Sequence, residues 1–201
     1  MKKQLTIISA IFFTSLMFSQ KVKVKEGDFK NLKEITEYNL QFEYSDLKIP
    51  KYDSEEDFLK DKMKKREDKE AGAGEKFKAS WFADRKDRYE PKFIESFNKR
   101  FEDGEVKATQ NTAAKYTLLV KTTMMYAGYN VGIVRQNAKI EATLVVFETK
   151  TPDVILFSAD YTKVEGYGAM GNDYNSGYRI SEAYAKLAKE FAKNLKKKAL
   201  K

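Results

Sequence analysis

The fold is predicted from one stretch, Lys115–Tyr161, which reads KYTLLVKTTMMYAGYNVGIVRQNAKIEATLVVFETKTPDVILFSADY. It contains three strand-like runs, Tyr116–Met125, Ala138–Glu148 and Val154–Tyr161. In the middle run every second side chain falls on one apolar face, as a pleated strand with a buried side requires: Ile140, Ala142, Leu144 and Val146. The short link Thr149–Asp153 contains a proline and favours a tight antiparallel hairpin between the last two runs.

Strand patterns flank this three-run meander. The alternation within Glu34–Tyr44 predicts a further strand, and Val106–Thr109 is a short strand candidate. The link Tyr126–Asn137 is longer and contains two glycines, so the pairing of the first run stays open. We interpret the basic segment Lys21–Asn31 as a loosely held leader.

Three segments carry helix signals. Ser54 followed by three acidic residues is typical of a capped helix start, and Ala71–Gly74 should end that helix. A second helix is predicted over Pro91–Phe101, closed by Asp103-Gly104, and a third over Tyr178–Leu200. The first helix belongs to a charged helical insert at about residues 54–88, which precedes the second.

These patterns predict an α+β fold. We expect one α/β sandwich-like domain over residues 21–201, with a mixed or antiparallel sheet of about four or five strands. The helices Pro91–Phe101 and Tyr178–Leu200 should cover mainly one face of that sheet.

The first twenty residues have the layout of a secretory signal peptide. Two lysines precede an apolar run, Leu5–Phe18, and a charged region begins at Lys21. The apolar run has about 14 residues, fewer than the roughly 18–20 that a membrane-spanning helix needs. We therefore predict a signal peptide over residues 1–20 that is cleaved near Ser19 or Gln20, and a periplasmic or secreted protein.

The composition narrows the possible chemistry. The net charge is +8, but both signs are interleaved along the chain, which favours a solvated surface over a nucleic-acid site. Without cysteine, the protein must be stable in an oxidising compartment through its core alone. The absence of histidine and cysteine excludes Ser-His-Asp and Cys-His catalysis and the usual zinc sites. Carboxylate pairs stay possible, but we predict no catalytic residue, metal or cofactor.

One motif matches a named pattern. Residues Gly166–Gly171 fit G-x-G-x-x-G, but no helix opens within the glycines and no strand follows, so a nucleotide site is not expected. We interpret Gly166–Gly177 as a loop that contacts a partner through three tyrosines: Tyr167, Tyr174 and Tyr178. Its oxygen-bearing side chains lack the EF-hand spacing for calcium: Asn172, Asp173 and Asn175.

The C-terminal helix is amphipathic. Its apolar stripe predicts packing on the sheet: Ile180, Tyr184, Leu187, Phe191 and Leu195. Its lysines lie largely elsewhere, and contact with anionic lipid or an acidic partner is the alternative interpretation.

The order of strands and helices carries a resemblance. The segments Tyr116–Val120, Ala138–Phe147 and Val154–Ala159, closed by an alanine- and lysine-rich helix, resemble exported bacterial envelope domains. The related families are the TolB amino-terminal domain and the CsgG-like curli-assembly proteins. This resemblance implies an α/β sandwich that acts in envelope assembly or protein interaction without catalysis.

Two functions follow as hypotheses. The first is an exported, non-catalytic envelope protein that binds another macromolecule, with an envelope protein as its partner. The alternative is a binder or hydrolase of a small envelope-derived ligand. The oligomeric state is left open by the sequence.

Overall fold

The computed structural model describes residues 21–101, 104–131, 134–167 and 176–200. Its central feature is an open, mixed sheet of six strands, in the order β1-β8-β7-β4-β2-β3. These strands are β1 Lys21–Gly27, β2 Glu37–Glu43, β3 Lys107–Thr109, β4 Tyr116–Tyr126, β7 Ala138–Glu148 and β8 Thr151–Gly166. The α+β class is confirmed, with one strand more than the upper number expected.

Helices and a small hairpin complete the described fold. The helices are α1 Glu55–Glu67, α2 Ala73–Asp84, α3 Glu90–Asn98 and α4 Ser176–Lys198. The short strands β5 Tyr129–Val131 and β6 Val134–Gln136 pair as a hairpin within the link between β4 and β7. In the part of the chain that the structure describes, no helix is long and apolar enough to cross a membrane.

The predicted meander is confirmed. Strand β7 pairs antiparallel with β4 and with β8, and the alternate residues that the sequence marked as buried are at most 2% exposed. The hairpin turn is shorter than expected, because β8 already begins at Thr151 and includes Pro152. The pairing of β1 with β8 reaches only to Phe157. Pro152, which has no N–H to donate, therefore lies in a part of β8 that makes no hydrogen bonds to β1.

The charged insert is the crossover of the sheet. Strand β2 pairs parallel with β3 and with β4, and parallel neighbours require a long connection. Helices α1 to α3 form that connection. Ser54 caps α1 as predicted, because its hydroxyl accepts a hydrogen bond from the Asp57 amide at 3.0 Å.

One predicted segment is wrong. Residues Lys21–Gly27 form edge strand β1, not a loose leader, since Val22 and Val24 pair opposite Tyr161 and Ala159 of β8. The helix predicted to start at Pro91 begins one residue earlier, at Glu90, and α2 continues into it through a π-helical turn, Arg85–Tyr89.

The π turn explains how a proline is tolerated inside this helical path. The Glu90 amide donates to the Arg85 carbonyl, one residue further back than in an α-helix. This wider turn directly precedes Pro91, where a regular helix would meet a clash and lose a hydrogen bond. Helix α3 ends at Asn98, three residues before the predicted end, and Asp103 lies outside the described residues.

Helix α4 packs on the sheet, and its predicted apolar stripe is fully buried. Phe191 stands among the rings of Phe29, Phe97 and Phe157, with centroids 5.9–6.3 Å away. Phe93 and Phe97 of α3 are also fully buried. Side chains on the other face of β7 are only partly buried: Lys139, Glu141, Thr143 and Val145. The helices therefore place the core on one face of the sheet.

Candidate functional site

A cleft lies between the end of β2 and the π turn. Its volume is about 480 Å³. Phe42 and Tyr44 form one wall, and the other wall comes from the helical path α2 to α3: Phe82, Ala83, Arg85, Lys86, Asp87 and Glu90. A π turn contains one residue more than an α-helical turn. It therefore changes which side chains of the α2-to-α3 path face the cleft.

Arg85 is fixed at the centre of the cleft wall. Its guanidinium lies over the Tyr44 ring at 4.5 Å and over the Phe82 ring at 4.9 Å. Its charge is paired with the carboxylate of Glu55 at the start of α1, and Trp81 donates its indole N–H to the same carboxylate at 2.6 Å. The planar cation is therefore held before any partner arrives, which lowers the ordering cost of binding.

The mouth of the cleft combines an exposed ring with charges of both signs. Phe82 keeps 41% of its surface exposed, although it is a large apolar side chain. Lys86 and Asp87 are exposed beside it. Aromatic and arginine side chains of this kind dominate the binding energy of many protein interfaces.

Two further buried tyrosines, Tyr89 and Tyr184, lie near Tyr44 of the cleft wall. The rings of Tyr89 and Tyr184 stack with centroids 5.2 Å apart, and the Tyr184 hydroxyl shares a 2.6 Å hydrogen bond with Thr122. Burial raises the pKa of Tyr44, Tyr89 and Tyr184, so these phenols stay protonated at physiological pH. The surroundings of Tyr44 are therefore aromatic and uncharged on this side.

Two acidic groups near the π turn are poorly solvated. Burial raises the pKa of Glu90, which faces the cleft and accepts a hydrogen bond from the Gln110 amide at 3.1 Å. Burial also raises the pKa of Asp84, although Arg88 pairs with it at 2.7 Å. A partner that brings a cation or a hydrogen-bond donor to Glu90 would replace part of its lost hydration.

This environment gives a testable pH dependence for Glu90. The neutral variant Glu90→Gln should melt at a higher temperature than the unmodified protein at neutral pH, because it removes a partly buried charge. With a folded-state pKa above the unfolded one, the charge penalty is full above the folded pKa and fades as the pH falls to the unfolded value. The difference in melting temperature should therefore shrink on acidification. Thermal melts of both proteins across this range measure it, and a constant difference would contradict the assignment.

Two of the three predicted loop tyrosines lie among the described residues, and neither of them lines the cleft. Tyr167 follows β8 and is 71% exposed, and Tyr178 lies in the first turn of α4 and is 38% exposed. Tyr174 lies outside the described residues, as do the candidate oxygen ligands Asn172, Asp173 and Asn175. The cleft residues Arg85, Glu55 and Glu90 were not predicted as site residues from the sequence.

The glycines that frame this loop have packing roles. A Cβ at Gly166 would lie 2.3 Å from the Arg179 carbonyl oxygen and 2.5 Å from the Ala183 amide, so β8 approaches the α4 backbone closely there. A Cβ at Gly177 would lie 2.0 Å from a carboxylate oxygen of Asp84. The start of α4 therefore packs closely against the α2-to-α3 helical path, which forms one wall of the cleft.

No metal cluster is formed by the acidic residues that the structure describes. What the arrangement offers chemically is recognition: a fixed cation between two rings, an exposed aromatic edge and a poorly solvated carboxyl group. These features define an α+β protein with an aromatic-lined cleft.

Comparison with known proteins does not assign this α+β protein to a family. No protein-family model and no curated protein sequence matches the chain. Among solved structures, it is similar to PelC dodecamers from Paraburkholderia phytofirmans in two crystal forms. One shows 11% identity and a TM-score of 0.34, covering 85% of this chain and 98% of that one. The other shows 10% identity and the same TM-score, covering 84% and 97%. We draw no functional conclusion from similarity at this level, and the resemblance to TolB and CsgG-like domains stays a prediction.

Proposed function

We propose that this protein is an exported, non-catalytic protein that binds another macromolecule through the Phe82–Arg85 cleft. The observation that carries the proposal is the guanidinium of Arg85, paired with Glu55 and held between the rings of Tyr44 and Phe82. A fixed, partly exposed aromatic–arginine group is a typical energetic centre of a protein interface.

The surroundings of Arg85 favour a macromolecular partner. Phe82 is exposed at the rim, so an incoming side chain can bury it without entering a closed chamber. Lys86 and Asp87 flank the cleft and can set the orientation of a partner through charge. A partner from the cell envelope is consistent with the signal peptide predicted over residues 1–20, and assembly of the envelope is the process we favour.

A small envelope-derived ligand is the alternative. The cleft volume of about 480 Å³ lies within the range of small-molecule sites. Tyr44, Arg85 and Glu90 converge on it, which supplies the few polar groups that orient such a ligand. For this alternative, a soluble ligand must raise the melting temperature of the purified protein by mass action.

Substitutions at the rim test the proposed function. The variant Phe82→Ala, combined with Lys86→Ala, should reduce co-purification of the partner from envelope extracts by at least about tenfold, the loss expected from one hot-spot side chain. Both side chains are exposed, so the free energy of unfolding should change by no more than about 1 kcal/mol. Affinity capture with quantitative mass spectrometry measures the yield.

A matched control separates the cleft from general surface hydrophobicity. Val154 is 51% exposed at the start of β8, near the β7–β8 hairpin and away from the cleft. Val154→Ala should leave the yield of partner unchanged. Equal losses in the two variants, or an unchanged yield in the rim variant, would contradict a role for the cleft.

A further inference from the structure

A second surface, independent of the cleft, lies where α3 and α4 both end. The two helices run side by side in the same direction. Near their starts Lys92 pairs with Glu182 at 3.5 Å, and near their ends the ammonium group of Lys196 lies 5.0 Å from the Phe101 ring centre. The carboxyl ends of both helices therefore meet at one end of the molecule.

Six cations gather at this end, which we call the cationic end: Lys99, Arg100, Lys193, Lys196, Lys197 and Lys198. All six are exposed, and within the described part of the chain none of them forms an ion pair with an acidic group. Among the described acids on these two helices, Glu95 pairs with Lys92 and Glu190 pairs with Lys186. Glu102 and Asp103 follow Arg100 closely in the sequence but lie outside the described residues.

Among the described residues, the positive charge at this end exceeds what helix termini and ring contacts offset. Each helix terminus presents about half a negative charge, so two termini offset roughly one positive charge out of six. Lys196 and Lys198 have a structural use, because their ammonium groups lie over the rings of Phe101 and Phe29. The remaining four have no partner among the residues described: Lys99, Arg100, Lys193 and Lys197.

We propose that the cationic end binds the phosphate-bearing surface of an anionic lipid membrane. Clustered basic side chains gain about 1 kcal/mol each near such a surface. Single-stranded nucleic acid is a poorer fit, because its binding needs exposed rings for base stacking. The exposed large apolar side chains of the described residues include none on α3 or on the second half of α4. Binding is therefore peripheral and electrostatic, and salt weakens it.

This attachment would orient the cleft. Glu90 marks the cleft at the start of α3, and Lys99 lies nine residues further on, which is roughly 13 Å along a helix. A molecule held by its cationic end presents the cleft away from the lipid, where a partner can reach it. The membrane contact would therefore hold the protein at a lipid surface, whatever the cleft binds.

Vesicle sedimentation of the processed full chain tests the proposal. It should bind vesicles of mixed phosphatidylglycerol and phosphatidylcholine at low salt and should not bind phosphatidylcholine alone. A variant carrying Lys99→Gln, Arg100→Gln, Lys193→Gln and Lys197→Gln should bind roughly 1,000-fold more weakly. The control variant removes the same charge from exposed lysines of the crossover and should stay within about threefold of the unmodified protein: Lys60→Gln, Lys64→Gln, Lys69→Gln and Lys78→Gln.

Three results would overturn the proposal. They are failure of the unmodified protein to bind the anionic vesicles, equal losses in both variants, and tighter binding to soluble polyphosphate than to vesicles at equal phosphate concentration. Circular dichroism checks that both variants fold. If the fourfold variant unfolds, the double variant Lys193→Gln, Lys197→Gln is compared with Lys60→Gln, Lys64→Gln in the same assay.

Discussion

Replacing Phe191 by alanine should lower the free energy of unfolding by about 3–5 kcal/mol. Phe191 is fully buried and touches the rings of Phe29, Phe97 and Phe157, so alanine leaves a cavity bounded by three aromatic side chains. The loss is a large share of the roughly 5–15 kcal/mol that stabilises a typical domain. Because these rings come from α3, α4, β8 and the segment after β1, one truncation loosens several contacts at once.

Urea unfolding followed by circular dichroism measures this change. Lys193→Ala on the same helix is the control, because Lys193 is exposed and contributes no core contact. Its free energy of unfolding should differ from that of the unmodified protein by no more than about 0.5 kcal/mol. Similar midpoints for the two variants would mean that α4 does not pack on the sheet as described.

Replacing Gly166 by alanine should destabilise the protein by about 2–3 kcal/mol through steric overlap. The added methyl group would press on backbone atoms of Arg179 and Ala183, which cannot rotate away as a flexible side chain can. The glycine therefore permits the close approach of β8 to α4. The first glycine of the Gly166–Gly171 motif, which was not expected to form a nucleotide site, therefore has a packing role.

A second glycine provides the comparison. Gly72 has a φ of 78° but no atom within 4 Å of an added Cβ. Gly72→Ala should cost about 1 kcal/mol, from backbone strain alone. Thermal melts of both variants, with and without added dinucleotide, distinguish the two explanations. A Gly166→Ala variant as stable as Gly72→Ala, or a dinucleotide that raises the melting temperature of the unmodified protein, would contradict the packing role.

The meander could be predicted because its signal is local. Alternation within Ala138–Glu148 fixes which face is buried, and the structure buries that face. The stripe of α4 is equally readable, since a spacing of three and four residues defines one side of a helix. In both elements, the residues that form the apolar face in the sequence pattern are the ones that tertiary packing buries.

The features that were missed depend on distant partners. Lys21–Gly27 has alternating valines, but only the length of β8 provides the neighbour that turns this segment into strand β1. The parallel pairing of β2 with β4 leaves no local trace, so the crossover looked like a charged insert.

The candidate site was missed for a similar reason. Arg85 lies in the run Asp84–Arg88, where every residue is charged and none stands out by spacing. Its partners Tyr44 and Glu55 lie 41 and 30 positions earlier in the chain and belong to other elements. The adjacent pair Trp81 and Phe82 forms an apolar patch in the sequence, but the sequence does not show that Trp81 is buried while Phe82 is exposed.

Site-specific photo-cross-linking in living cells tests the proposed function most directly. A photoreactive phenylalanine analogue is placed at Phe82 in one protein and at Val154 in another, because both side chains are exposed and only the first lies at the cleft. We expect irradiation to join one defined protein to position 82 and not to position 154, and Lys86→Ala should reduce that adduct. No adduct at position 82, or the same adducts at both positions, would contradict a macromolecular partner at the cleft.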